Sequence, residues 1–339
     1  MGESMKSKEG IMGFVVADAL GVPYEFVKRE DLDEYPINDM IGHGTYNQPK
    51  GSFSDDSSMI LCTIDSIICK KEIDYDEIMS RFLKWYNDGE YTPNGKCFDI
   101  GRTTIKGLSN YEIGISPLKC GSKKERDNGN GSLMRILPIA YYIGPKDHLE
   151  SEDVDLIYNI SRLTHSHIRS LISCHIYCEI ICNLLKNDGN LRELISKSID
   201  NIIGYYKDKD EREEFNNHFR RIIDKSIFDE SRDNISSKGY VISSLEAALW
   251  SLVNTTNYKD AVLKAANLGE DTDTIAAISG GIAGIYYGYE HIPEDWVNSI
   301  IKKDKILDLL DKFDEIINWI NPIENNALKL KHRYKISHF

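Results

Sequence analysis

The stretch "GSFSDDSSMI", residues 51–60, sets two adjacent carboxylates, Asp55 and Asp56, between serines at the mouth of an apolar run. From Ile60 onward, Ile64, Ile67 and Ile68 recur at helical spacing and line one face, which predicts a helix with both acids in its first turn. One reading of the acids is a plain helix start, because carboxylates in a first turn complement the positive end of the helix dipole and Ser54 is a good N-cap. The other is half of a metal site, since hard divalent cations take carboxylate and hydroxyl oxygens.

A second stretch repeats the pattern. In "NLGEDTDTIAAI", residues 267–278, Asp271, Asp273 and Thr274 precede another apolar helix. Asp271 and Thr274 are three apart and share a helical face, with Asp273 reaching the same region from the turn. Four or five carboxylates gathered in one core would repel each other by several kcal/mol unless something positive sits between them, and two divalent ions would serve.

The 339 residues suffice for one large domain or two smaller ones, and 41% hydrophobic with 28% charged residues describes an ordinary folded protein. Net charge is −13, and Lys and Arg are scattered, so no nucleic-acid-binding stripe is indicated and tight nonspecific nucleic-acid binding is not expected. The start, "MGESMKSKEG", is too polar for a signal peptide, and the seven cysteines lack paired metal spacing, so an intracellular, cytoplasmic compartment with reduced thiols is expected. "SCHIYCEIIC", residues 173–182, places Cys174, Cys178 and Cys182 on one helix face as small core residues rather than as a thiolate cluster. "TIAAISGGIAGIYYGY", residues 274–289, is too short and glycine-rich for a membrane span, and its Gly280–Gly284 spacing predicts close helix packing instead. Residues 187–238, with "KDKDEREEF" as their charged extreme between the amphipathic "LRELISKSIDNIIGYY" and "GYVISSLEAALW", read as solvated helices and a long surface connection. Strand-like alternation is scarce, so the fold is expected to be all-α.

Other segments offer chemistry without fixing it. "DNGNGSLMR", residues 127–135, reads as a loop before a helix beginning near Ser132, where backbone N–H groups form either an anion nest or a simple turn. Glu25 in "GVPYEF" and Asp99 in "CFDIGRTT" are each a general acid or base, or a hydrogen-bonding group; His165 and His167 in "LTHSHIRS" are structural or functional.

Taken in order, "GFVVADALGVPYEF", "GSFSDDSSM", "CFDIGRTT", "GNGSLMRILPIA", "LTHS", "GYVISSLEAALW" and "GEDTDTIAAISGGIAGIYYG" resemble the ADP-ribosylglycohydrolase family over about residues 10–300. The resemblance implies one domain over 1–339, with the motifs in 10–300 and a C-terminal helical extension in 301–339, folded as a compact orthogonal bundle of many helices. It further implies a binuclear Mg2+ or Mn2+ centre held by Ser54, Asp55, Asp56, Asp271, Asp273 and Thr274. Asp99 matches a proposed catalytic base and Glu25 the glutamate beside the metals. Gly129, Asn130, Gly131 and Ser132 match the loop cradling the diphosphate, while His165 and Tyr240 match positions lining the ADP-ribose pocket. The implied reaction hydrolyses the bond between ribose C1″ of ADP-ribose and a modified side chain. The metals hold the ribose hydroxyls, and water activated by a metal or by Asp99 attacks C1″.

Against the family pattern, Ser54 and Ser57 stand where threonine is common, Glu270 where glycine is frequent, and Ala17 where glycine often precedes Asp18; no implied ligand is lost. "CFDIGRTT" and "DTDT" lean toward the dinitrogenase reductase-activating type, hence an arginine leaving group on an ADP-ribosylated protein or small substrate. Serine-, nucleobase- and O-acetyl-linked ADP-ribose, and a non-catalytic nucleotide binder or crystallin-like protein on the same scaffold, stand as alternatives. The sequence carries no signal for oligomeric state.

Overall fold

The computed structural model describes residues 5–322. Sixteen α-helices run through them in order: α1 Lys8–Gly21, α2 Arg29–Glu34, α3 Asp55–Lys70, α4 Tyr75–Asp88, α5 Arg102–Glu112, α6 Leu137–Ile143, α7 Ser151–Arg162, α8 Ile168–Leu184, α9 Leu191–Tyr206, α10 Arg212–His218, α11 Arg220–Ile223, α12 Val241–Val253, α13 Tyr258–Ala266, α14 Thr272–Tyr287, α15 Glu294–Ser299 and α16 Lys303–Ile320. Among the described residues β pairing is limited to isolated bridges, as the scarcity of alternation predicts.

Helices apolar on every side must be buried, and α1, α8 and α14 form the centre. Every residue of α1 from Gly10 to Gly21 is buried, as are those of α14 from Thr272 to Gly284. Glycines let these two helices touch. A methyl group at Gly280 would lie 2.5 Å from both Ala17 Cβ and Gly13 O, and one at Gly284 would lie 2.2 Å from Glu9 O. Tyr258 of α13 closes the contact by donating to Gly13 O at 2.5 Å.

Amphipathic helices wrap this centre. α4 buries Ile78, Met79, Phe82 and Trp85, and α16 buries Ile306, Leu310, Phe313 and Ile317. The expected extension over 301–339 thus begins as α16, packed on the core, and its part beyond 322 lies outside the described residues. Cys174, Cys178 and Cys182 are buried free thiols in α8, filling space as small apolar groups.

Residues 187–238 correct the expectation of a solvated connection. Ile195, Ile199, Ile202 and Tyr206 line the buried face of α9, as its amphipathic pattern predicts, but Phe215, Phe219, Ile222 and Phe228 in the stretch after it are buried as well. The charged composition hid single aromatic anchors spaced along short helical turns.

Replacing Gly280 by Val is expected to overpack the α1–α14 contact and destabilise the fold by about 1–3 kcal/mol. A lowered thermal midpoint with unchanged far-ultraviolet dichroism would show it.

Candidate metal centre

Two helix starts and two loops bring the acids together. α3 begins where Ser54, in extended conformation, accepts from the Asp56 N–H at 3.2 Å, so Asp55 and Asp56 fill its buried first turn. α14 begins after Asp271, and Thr272 Oγ1 anchors it to the end of α1 by donating to Gly21 O at 2.8 Å. Thr274 Oγ1 donates to Asp56 Oδ1 at 3.5 Å and joins the two clusters. The helix-start reading of residues 51–60 therefore holds, and the same first turn sets Asp56 beside Thr274 of the second cluster.

Glu25 leaves the short turn that follows α1, and its carboxylate belongs with the second cluster. Oxygens of Glu25, Asp271 and Asp273 all lie within 4.8 Å of one another. The two loops are stitched by Phe26 N–H donating to Glu270 O at 2.6 Å and Glu270 N–H donating to Val27 O at 2.8 Å. Glu270 itself sits at φ 60°, the left-handed region that favours glycine, which explains why its position suits glycine. Asp99 also sits at positive φ, 51°, and its charge is a neighbour that raises Glu25.

Burial decides the electrostatics. It pushes the carboxyl groups of Asp55, Asp56 and Asp273 well above their ordinary range, with neighbouring acids adding to the shift. Glu25 rises for the same reason, with Asp99 the next cause. Asp271 reaches about 6 through burial, held back by bonds to Thr274 and Asn130.

Glu25 Oε2, Asp56 Oδ2 and Asp273 Oδ2 are buried with no hydrogen-bond partner among the described residues. Buried carboxylate oxygens without partners are rare because each forfeits its hydration. Carboxylates flanked by the hydroxyls of Ser54 and Thr274 make a donor set suited to a hard divalent cation, so the residues present fit a metal centre.

Asp18 is the member that the sequence reading passed over. Its carboxylate accepts from Ser54 N–H at 3.0 Å, from Ser57 N–H at 3.1 Å and from Ser57 Oγ at 2.5 Å. It therefore gathers donors at the start of α3 and fixes the direction in which Asp55 and Asp56 leave. The available signal was a single acid inside the apolar helix "GFVVADALG". Burial raises Asp18 to about 6 even against those bonds.

The Gly129–Ser132 loop lies beside this centre. Asn130 donates through Nδ2 to Asp271 Oδ2 at 2.6 Å and to Ser244 Oγ at 2.9 Å, and its N–H donates to Gly239 O at 3.1 Å. Gly129 pairs with Tyr240, which precedes α12, in an isolated antiparallel bridge. The N–H groups of Gly131 and Ser132 take no backbone acceptor among the described residues. Ser132 turns its hydroxyl inward onto Ser161, 2.9 Å away, so its backbone faces the loop. His165 is buried against Gly131, whereas His167 caps α8. No helix begins near Ser132: residues 131–135 are turns and α6 starts at Leu137, because Pro138 has no N–H and is tolerated only in a first turn.

This all-α fold with an acidic centre and an adjoining N–H loop is that of a known class of hydrolase. A family model described as ADP-ribosylglycohydrolase matches residues 5–321, and the chain belongs to that family of glycosidases acting on ADP-ribosyl linkages. It is similar to the ADP-ribosylarginine hydrolase Tri1 of Serratia proteamaculans (strain 568), 33% identical over 316 residues, covering 91% of this chain and 78% of the relative. The Tri1 of Pseudomonas putida (strain GB-1) is 31% identical over 304 residues, covering 87% and 74%. The ADP-ribosyl-[dinitrogen reductase] glycohydrolase of Rhodospirillum rubrum is 27% identical over 295 residues, covering 86% and 89%. Among solved structures, one titled ADP-ribosylglycohydrolase-related protein complex shares the fold, with a TM-score of 0.73 at 24% identity over 92% of this chain and 98% of that chain.

A carboxyl group whose pKa is higher folded than unfolded stabilises the fold below its unfolded value and loses that contribution as pH rises. For Asp18 and Asp271 the window runs from the ordinary 3.8 to about 6. In chelator, the thermal midpoint is expected to fall as pH rises through this window. With Mg2+ or Mn2+ present, the fall should be reduced or reversed, because cations bind the ionised carboxylates.

Proposed function

We propose that the chain is a divalent-cation-dependent hydrolase that removes ADP-ribose from arginine side chains by attack of water at ribose C1″. The observation that carries this reading is that Glu25, Asp56 and Asp273 belong to one acidic cluster and that each has a buried carboxylate oxygen without a partner among the described residues. The names of the relatives at 33% and 31% identity, both ADP-ribosylarginine hydrolases, support arginine as the leaving group.

Ser54, Asp55, Asp56, Asp271, Asp273 and Thr274, joined by Glu25, would hold two Mg2+ or Mn2+ ions. When bound, such ions offset carboxylate repulsion and polarise hydroxyl and water oxygens. Asp99, on its left-handed turn beside the cluster, takes the proton of the attacking water. Oxygen then bonds to C1″ as the bond to the guanidine nitrogen breaks. Glu25 aligns the ribose beside the second cluster. The N–H groups of Gly131 and Ser132 hold the diphosphate, with His165 and Tyr240 closing the nucleotide pocket. Surrounding carboxylates stabilise the positive charge that develops on the ribose as the leaving group departs.

Among the described residues no helix is long and apolar enough to cross a membrane. Seven free cysteines, five of them buried, support a reducing cytoplasmic setting.

The test is release of ADP-ribose from an arginine-ADP-ribosylated protein. Wild type is expected to release it with Mg2+ or Mn2+ and to stop in chelator, with Asp273→Asn inactive and Asp99→Asn slowed in kcat by about 10²–10⁴-fold. Equal release in chelator would overturn the metal dependence. Preference for serine-linked substrate would overturn the leaving group alone.

A further inference from the structure

Arg135 is fully buried, and among the described residues it forms no ion pair. Among these residues its Nε and Nη1 have no hydrogen-bond partner, and its guanidinium lies 5.1 Å from the centroid of the Phe82 ring. What it does engage is specific. Nη2 donates to Ile160 O at 3.1 Å and to Thr164 Oγ1 at 2.7 Å, and Thr164 Oγ1 lies 2.8 Å from His165 Nδ1.

Proton counting gives this chain a direction. A guanidinium only donates, so Thr164 Oγ1 accepts from Arg135 and keeps one hydrogen of its own to give. The one remaining acceptor within its reach among the described residues is His165 Nδ1. If Nδ1 carried the proton instead, the Thr164 hydrogen would be left buried without an acceptor. A neutral ring that accepts at Nδ1 carries its proton at Nε2. Burial, with the Arg135 charge as the second cause, pushes the His165 pKa down to about 3 and keeps the ring neutral.

The Nε2 edge faces the Gly129–Ser132 loop. A methyl group at Gly131 would lie 2.9 Å from His165 Cε1 and 3.4 Å from Nε2, so glycine there keeps the edge clear. Ser161 pins the ring's backbone, accepting the His165 N–H at 2.8 Å through its carbonyl and donating from its hydroxyl to His165 O at 2.9 Å.

We propose that Arg135 and Thr164 are positioning residues that fix His165 in its Nε2–H form, so that it presents a hydrogen-bond donor to an acceptor oxygen of the nucleotide held at the Gly129–Ser132 loop. The nucleotide part of this proposal rests on the ADP-ribose reading above; the ring's protonation does not. Arg135 supplies the first donor of the relay, and Thr164 passes the direction on.

The experiment uses the full-length, metal-loaded protein and long-range proton–nitrogen correlation spectra of its histidines, with His165 assigned by loss of its signals in His165→Gln. Expected is a pyridine-like Nδ1 and a pyrrole-like Nε2 at His165. Thr164→Val removes the hydroxyl at nearly constant volume and should scramble or reverse this pattern. It should also weaken binding of free ADP-ribose, measured by calorimetry, about tenfold, while Thr164→Ser restores both. A pyrrole-like Nδ1 in wild type, or a Val variant with the wild-type pattern, would overturn the relay. An Nε2–H ring in a wild type that does not bind ADP-ribose would uphold the relay and overturn the nucleotide reading.

Discussion

Carboxylates packed together without partners are the constraint on which the rest of this molecule depends. Asp18, Glu25, Asp55, Asp56 and Asp273 are buried, Asp271 adjoins them, and three of their oxygens have no hydrogen-bond partner among the described residues. Two helix N-termini point at the group, yet a helix end stabilises a nearby charge by only about 0.3–2 kcal/mol. Leaving one buried charge uncompensated costs about 3–5 kcal/mol. The dipoles therefore cannot hold the cluster ionised, which is why its carboxyl groups titrate high and why the proposed cations belong to the fold as much as to the chemistry.

The architecture serves this cluster. α1 and α14 approach closely through Gly13, Gly280 and Gly284, and their contact brings Asp18 and the turn carrying Glu25 to the start of α14. Asp18 then aims α3, the Glu270 turn ties Glu25 to Asp271, and Asn130 ties Asp271 to the Gly129–Ser132 loop. A few hydrogen bonds thus connect acids that lie far apart in the chain, so a change in helix packing is a change in site geometry.

Much of this was legible in the chain because it is local. Ser54, Asp55 and Asp56 combine an N-cap with an apolar helical period, and Asp271–Thr274 repeat the arrangement, so the two helix starts follow from adjacent residues. The glycine spacing at 280 and 284 announced close packing for the same reason. The roles of Asp18, Arg135 and Thr164 were not legible, because each depends on partners that only the tertiary fold supplies. Residues 207–238 misled because charge was counted per segment, while burial there rests on a few well-placed apolar side chains. The helix expected near Ser132 failed at Pro138, a local signal that should have moved its start.

Titration of the chelated protein with Mn2+, followed by electron paramagnetic resonance of free and bound ion, addresses the central claim without any substrate. The account predicts two ions bound per chain with spectra showing that they interact, and loss of that signal in Asp273→Asn. A folded wild-type protein that leaves all the Mn2+ free in solution would contradict it.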